Sequence, residues 1–295
     1  MELTAGHAEI LEELADLIRA MGPYRQDAVV SGGVVPLIYR FHSNYKRPRQ
    51  PALLTNDLDL TVPESLPFRE RRLRDELDHG GFVVVPSRTS NPSLPPKHVI
   101  QRKALGERTV AALHGELLIP LTGSAIDRKN RPRSPREIQD GLTAEALRFL
   151  DLLLWEPVTF DLAHIEDLQL KNGGLYQVKL PRIGPYIVQK ALCSERRENR
   201  EKRDKDLAYI YDAATIAHGN WSSIRREVKE LSDEKTRWHK WLREAIDILQ
   251  KAFLSESPIG PEAVERTYEN ASVQARTVSR VMSAFIEAVT PLEAP

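Results

Sequence analysis

Apolar positions in the first half of the chain switch between helical and strand spacing. Residues 5–20 repeat apolar side chains every three to four positions, which predicts an amphipathic helix. Short apolar runs and one alternating segment predict strands at 28–31, 57–62, 82–85, 98–103 and 108–120, with extended segments near 158–162 and 176–180. Further helices are predicted at 34–41, 68–78 and 143–153, and a loop at 123–141.

The second half of the chain has a different pattern. From Pro185 to the end helical periodicity dominates, and breaks at Gly219, Ser232, Pro258 and Gly260 divide it into four or five helices. The fold class predicted is therefore α+β: an N-terminal mixed β-sheet flanked by helices (residues 1–180), followed by an all-α C-terminal domain (residues 181–295).

Composition narrows the functional class. The 295 residues carry 42 basic and 42 acidic side chains, so whole-chain charge does not indicate a nucleic-acid binder. Local basic clusters at 45–49 and 128–136 are the candidate nucleic-acid contacts, and a solvated loop is the equally open alternative for each. The single cysteine, Cys193, excludes a disulfide framework and a multi-cysteine zinc site. We find no signal peptide and no apolar run of the ~20 residues that a membrane span needs, so we expect a cytoplasmic protein without a membrane partner.

A glycine pair follows the strand predicted at 28–31. In Ser31-Gly32-Gly33 the missing side chains let the backbone approach a phosphate closely, and the next helix begins directly afterwards. An ordinary tight turn has the same sequence. The chain contains neither G-x-x-x-x-G-K-[ST] nor G-x-G-x-x-G, so P-loop and Rossmann phosphate binding are not supported.

Two carboxylates occupy alternate positions of the next predicted strand. In Asp57-Leu58-Asp59-Leu60 the two aspartates share one face and the leucines the other. Neighbouring carboxylates repel each other unless a cation lies between them. A solvated strand face is the plain alternative, but no basic residue lies within four positions to pair with these acids, so we expect a metal site.

A third carboxylate would complete a two-metal site. Glu116 lies in the middle of a predicted apolar strand, where an acid is costly to bury unless it is paired or coordinated. Asp161, in the later segment 158–162, is the competing candidate.

A lysine in the helical half also stands out. Lys190 interrupts the mostly apolar stretch 186–192, so it either extends to solvent along its aliphatic stem or points into a site. The charged run at 195–206 has the alternating signs typical of a solvated helix.

These motifs together resemble the nucleotidyltransferase superfamily with the DNA polymerase β-like fold. The resemblance lies in the glycine turn, the Thr-x-Asp-x-Asp pattern at residues 55–59, and residues 116–123, which are similar to the family strand bearing the third carboxylate. Lys190 and the pair Lys205-Asp206 resemble the helical motifs of a bacterial branch that includes the AbiEii and MenT type IV toxins. Two departures are Gly-Gly in place of the usual Gly-Ser, and a long spacing that implies an inserted loop at 42–54.

The resemblance implies a mechanism and its partners. Asp57, Asp59 and Glu116 would hold Mg²⁺ in a two-metal site (Mn²⁺ is a possible substitute), and the Ser31–Gly33 amides would bind the triphosphate of an NTP. Lys190 and Lys205 would steady that triphosphate, with Asp206 orienting Lys190 or binding the nucleoside. In MenT-like relatives the acceptor is the tRNA 3′ end and a separate antitoxin protein restrains the enzyme, so the resemblance implies tRNA and an antitoxin as partners, as a hypothesis.

Two other functions fit the same motifs. A small-molecule nucleotidyltransferase of the antibiotic-modifying type shares the core, but its acceptor pocket would be acidic and compact. A degenerate, non-catalytic relative would act as a binding module, and the presence of all three carboxylates argues against it.

Overall fold

The computed structural model describes residues 3–55, 57–87, 96–103, 114–124, 134–170, 174–268 and 273–290. The chain forms two compact units. One consists of Met1–Val35 with Leu54–Pro181, and the other of Pro36–Leu53 with Arg182–Pro295. The domain expectation placed a single boundary at residues 180 and 181, and it assigned 36–53 to the N-terminal part.

The first unit is built on a mixed sheet. In chain order its strands are β1 (Val29–Ser31), β2 (Asp57–Thr61), β3 (Phe82–Ser87), β4 (Lys97–Arg102), β5 (His114–Pro120), β6 (Arg136–Gln139), β7 (Leu142–Leu147), β8 (Val158–Asp161) and β9 (Gln177–Leu180). The spatial order is β3-β4-β5-β2-β1-β9-β8, with β7 pairing both β5 and β6. Strand β2 lies at the centre, antiparallel to β1 and parallel to β5.

Helix α1 (Ala5–Ala20) packs against one face of this sheet. It begins at Thr4, whose hydroxyl accepts a hydrogen bond from the His7 amide, and it buries its apolar stripe. A Cβ added to Gly115 of β5 would lie 3.1 Å from the Leu17 side chain, so helix and strand meet closely there. Because side chains alternate along β5, His114 and Glu116 lie on the opposite face.

The predicted helix at 143–153 is wrong, and so is the loop predicted for the end of 123–141. Residues Leu142–Leu147 form strand β7 and Arg136–Gln139 form β6, joined by the two-residue turn Asp140-Gly141. Alanine, glutamate and leucine favour a helix by propensity. Alternating burial of Leu142, Ala144 and Ala146, together with a hairpin-forming Asp-Gly turn, outweighs that preference.

The second unit is helical. Its helices are α4 (Ile183–Ser194), α5 (Arg200–Ile216), α6 (Trp221–Glu234), α7 (Thr236–Phe253), α8 (Ile259–Thr267) and α9 (Ala275–Val289), while α2 (Val34–Tyr39) and α3 (Leu73–His79) precede them in the chain. From Ile183 onward the described residues contain six helices, and the prediction of four or five from Pro185 to the end was too low. The boundary between α4 and α5 was not predicted because it lies within the charged run 195–206, where Asn199 caps the start of α5. In the described part of the chain, no helix has the length and apolar character needed to cross a membrane.

A buried ion pair attaches the segment Pro36–Leu53 to the helical unit. The Arg40 guanidinium donates to the Asp212 carboxylate of α5 and to the backbone carbonyls of Gln50 and Pro51. Both charged side chains are fully enclosed. Burial raises the pKa of Asp212, and the Arg40 charge acts against that rise.

Candidate active site

Strand β2 presents its two aspartates on one face. Leu58 and Leu60 are buried on the opposite face, whereas Asp57 is exposed and Asp59 is half-buried. The strict alternation of apolar and acidic residues produces this division, because successive side chains of a strand point to opposite faces. Both carboxylates are therefore accessible to a ligand from the same side.

Register with the neighbouring strands brings a third acid beside them. Asp59 pairs with Ser31 of β1 on one side and with Glu116 of β5 on the other. Directly paired residues share a face, and neighbouring strands of a sheet lie about 4.8 Å apart. We call Asp57, Asp59 and Glu116 the acidic row, and they lie on the sheet face opposite the one that contacts Leu17.

The glycine turn lies against this row. Gly32 has a φ of 72°, a backbone conformation that a side chain disfavours. A Cβ added there would come within 2.3 Å of the Asp59 Oδ2 atom. Gly32 is therefore required both by its conformation and by the position of the Asp59 carboxylate.

The Ser31 side chain is buried and is not placed to bind a phosphate at the surface. It is 1% exposed, and its Oγ accepts a hydrogen bond from the Thr61 hydroxyl at 3.0 Å. In this arrangement the hydroxyl fastens β1 to β2. The hydroxyl is therefore buried between the strands and is not available to a ligand at the surface.

Glu116 forms an ion pair within the sheet. The Lys97 Nζ atom lies 2.7 Å from Glu116 Oε2 and 3.1 Å from Glu145 Oε2. Partial burial acts to lower the pKa of Lys97, but the hydrogen bond to Glu116 and the charges of Glu145 and Glu116 outweigh it, so the pKa is raised. Lys97 is therefore a firmly protonated partner of the third carboxylate.

Asp161 occupies a different part of the sheet. Its strand β8 is separated from β2 by β9 and β1. The Asp161 carboxylate accepts a hydrogen bond from the Ala163 amide and so caps a short 3₁₀ turn. Of the two candidates for the third carboxylate, Glu116 is the one that the register places beside Asp59.

The acidic row fits a divalent cation in composition. Carboxylate oxygens are preferred ligands of Mg²⁺, and two acids spaced two apart on a strand can share one ion. Nevertheless, no group of three or more His, Cys, Asp or Glu side chains among the described residues is gathered closely enough to hold a metal. The Lys97 ammonium on Glu116 Oε2 places a positive charge beside the acidic row, and that charge opposes an incoming cation.

In the helical unit, Lys190 and Asp206 come together. The Lys190 Nζ lies 3.2 Å from Asp206 Oδ1, and Arg197 binds the other carboxylate oxygen at 3.0 Å. The Lys190 ammonium also lies over the rings of Tyr186 and Tyr209. Lys190 is 8% exposed, so it is a buried, paired lysine and does not extend to solvent.

Lys205 and the described cations of the two basic clusters, which the sequence predicted to bind nucleotide or nucleic acid, are more exposed than Lys190. Lys205 is half-buried on α5, next to Asp206. In the basic segment 45–49, Tyr45 packs edge-on against Tyr39, while Lys46, Arg47 and Arg49 are exposed. Of the second basic cluster, residues 128–133 lie outside the described residues, and Arg136 forms an ion pair with Glu64.

Sequence reasoning missed Lys97 and Glu145. The sequence showed that Glu116, in an apolar strand, needs a partner. That partner, Lys97, lies 19 positions earlier, on β4. Only strand pairing identifies it. For Arg197 the sequence showed a charged run and gave no sign that it contacts Asp206.

Comparisons with known proteins bear on this site. A family model described as nucleotidyltransferase matches residues 8–232, which include the glycine turn, the acidic row, Lys190 and Asp206. Neither the curated proteins nor the solved structures contain a significant match. Because the family model covers more than half of the chain, the chain belongs to the nucleotidyltransferase family.

Proposed function

We propose that the acidic row is the Mg²⁺ site at which an NMP moves from an NTP to an acceptor hydroxyl. The family assignment supports NMP transfer with an NTP as substrate. The observation that carries the site proposal is the register that sets Ser31, Asp59 and Glu116 side by side, with Gly32 against Asp59. When bound, Mg²⁺ would lower the pKa of the attacking hydroxyl and offset the charge that develops on the phosphates.

The residues of the sheet unit have distinct tasks in this proposal. The backbone amides of Gly32 and Gly33 bind phosphate oxygens, which glycine allows because no side chain blocks the approach. Asp57 and Asp59 supply the metal ligands from one strand, and Glu116 completes the set from the next. Ser31, through Thr61, keeps β1 and β2 in the register that the row needs.

We assign a nucleotide-binding role to Lys190, Lys205 and Asp206 of the helical unit. The support is that Asp206 holds Lys190 in one orientation and that the family match includes all three residues. Replacing Lys190 with methionine should then raise KM for the NTP at least tenfold. An unchanged KM, with the fold retained, would limit Lys190 to a structural role.

We further propose a DNA polymerase β-like core of the AbiEii and MenT type, acting on the tRNA 3′ end as the toxin of a type IV-like toxin–antitoxin system. The mixed sheet with its central aspartate strand supports the core. The exposed cations Lys46, Arg47 and Arg49 support an RNA acceptor. A cognate antitoxin protein and a cytoplasmic location belong to the same proposal, and a single cysteine suits a reducing compartment.

Label transfer tests the proposed reaction. Purified protein is incubated with Mg²⁺, total tRNA and each α-³²P-labelled NTP in turn, next to Asp57→Asn and the control Asp140→Asn, whose carboxylate is 72% exposed outside the acidic row. We expect label on tRNA with the wild type and the control, and at least a hundredfold less with Asp57→Asn.

Other outcomes separate the alternative functions. NTP turnover that labels a small hydroxyl compound instead of tRNA would replace the RNA acceptor with a small molecule. NTP binding without transfer to any acceptor would favour a non-catalytic binding protein, and the proposed reaction would then be wrong.

A further inference from the structure

Lys97 contacts two carboxylates at once. Its Nζ atom lies 2.7 Å from Glu116 and 3.1 Å from Glu145. All three side chains are between a quarter and about a third exposed, so water partly screens the two ion pairs. Lys97 can therefore move from one carboxylate to the other, because the carboxylate that it leaves is still partly hydrated by water.

Strand pairing fixes this arrangement. Val99 of β4 pairs with Glu116 of β5, and Leu118 of β5 pairs with Glu145 of β7. Lys97 therefore lies where three strands meet, with the acidic row on one side and Glu145 on the other. Glu145 does not belong to the acidic row and serves there as a second acceptor for the lysine.

A divalent cation and Lys97 compete for the same atoms. The Lys97 ammonium, 2.7 Å from Glu116 Oε2, competes with a metal ion for the lone pairs of that oxygen. A positive charge this close also repels an incoming cation. When Glu116 is released, the nearby Glu145 carboxylate keeps Lys97 neutralised.

We propose that Lys97 is a counter-cation that holds Glu116 until a divalent metal binds and then moves to Glu145, so that Lys97 and Glu145 set the metal affinity of the acidic row. This positioning role rests on the proposed metal site. The expected effects have opposite signs: removing Lys97 strengthens metal binding, whereas removing Glu145 weakens it, since Lys97 then has Glu116 as its remaining carboxylate partner.

Isothermal titration of the full-length protein with Mn²⁺, without nucleotide, tests the exchange. We expect Lys97→Met to bind Mn²⁺ about three- to tenfold more tightly than the wild type, and Glu145→Gln to bind about threefold more weakly. In the Lys97→Met background, Glu145→Gln should have no effect. Lys103→Met is the matched control, because Lys103 follows the same strand and pairs with Asp78, outside the row.

The results separate the role of Lys97 from the existence of the metal site on which that role depends. Weaker or unchanged binding by Lys97→Met, with wild-type binding abolished by Asp57→Asn, would overturn the role of Lys97 and leave the metal site intact. No Mn²⁺ binding by the wild type would overturn both. If Lys97→Met does not fold, Glu145→Gln alone decides, and unchanged or tighter binding by it would contradict the proposal.

Discussion

At the scale of single residues, Gly32 is a position that tolerates little change. Its left-handed backbone alone makes alanine unfavourable by about 1–2 kcal/mol. An alanine Cβ would in addition displace the Asp59 carboxylate, because it would lie 2.3 Å from Oδ2. A shift of about 1 Å in a catalytic group can reduce a rate by a factor of roughly 100.

We therefore predict that Gly32→Ala lowers the rate of NMP transfer about a hundredfold, while the protein remains folded. Gly81→Ala is the matched control: its φ is 88°, and nothing lies within 4 Å of an added Cβ. Both variants should lose similar stability in chemical denaturation, but only Gly32→Ala should lose activity. Equal activity of the two would show that contact with Asp59 is unimportant.

The residues that could be predicted from sequence are those whose signal is local. Asp57 and Asp59 follow from the two-residue period of a strand, and Gly32 from its place between a strand and a helix. Lys97 could not be predicted, since its relation to Glu116 depends on which strands pair and in which register. Apolar runs of similar length do not encode that choice.

At the scale of elements, a side chain of one helix caps another. The Glu227 carboxylate of α6 accepts a hydrogen bond from the Gly184 amide in the first turn of α4. Burial raises the pKa of Glu227, and the Gly184 amide and the charge of Arg182 act against that rise. An acid whose folded-state pKa is raised binds more protons in the folded than in the unfolded state.

Glu227 should consequently make stability depend on pH. Its contribution to the free energy of unfolding is greatest at low pH and is lost as the pH rises from 4.5, the ordinary value, through the raised folded-state pKa. Glu227→Gln keeps an acceptor for Gly184 but removes the charge. We predict equal stability of variant and wild type near pH 4.5 and a more stable variant at pH 7.5.

Urea denaturation at several pH values measures this difference. Glu234→Gln, which changes an exposed carboxyl at the end of the same helix, is the control. A Glu227→Gln variant that is less stable than the wild type at pH 7.5 would mean that the charged cap outweighs the burial of Glu227.

The prediction of secondary structure failed where helix propensity and strand periodicity disagreed. The segment Leu142–Leu147 has helix-forming residues but the alternating pattern of a strand, and the Asp140-Gly141 turn before it favours a hairpin. The alternating pattern and the Asp-Gly turn determined that this segment is a strand, and the helix propensity of its residues did not. The helices from residue 183 onward raised no such conflict, and helical periodicity indicated them, although the charged run 195–206 concealed the start of α5.

At the scale of the whole molecule, the helical unit is discontinuous in sequence. The segment Pro36–Leu53 belongs to it, and the buried Arg40–Asp212 pair is one reason. The sequence indicated an inserted loop at 42–54 but not where it packs, because nothing local shows that Arg40 pairs with Asp212, 172 positions later in the chain. Burial of both charges makes this contact costly to break.

We predict that Arg40→Met destabilises the protein by about 3–5 kcal/mol, the usual cost of leaving one member of a buried ion pair without its partner. The double variant Arg40→Met/Asp212→Leu, which removes both charges, should recover much of that loss. Thermal and urea denaturation of the three proteins provide the comparison. A loss below about 1 kcal/mol in the single variant would show that the pair does not hold the segment.

The most direct test of the proposed active site is metal-dependent NMP transfer by the wild type and by Asp59→Asn, measured as release of pyrophosphate and incorporation of α-³²P label. Asp59 contacts the glycine turn and pairs with Glu116, so the site requires it most. We predict Mg²⁺-dependent transfer by the wild type and a loss of at least a hundredfold in the folded variant. Transfer by Asp59→Asn at the wild-type rate would contradict this prediction and place the chemistry elsewhere in the chain.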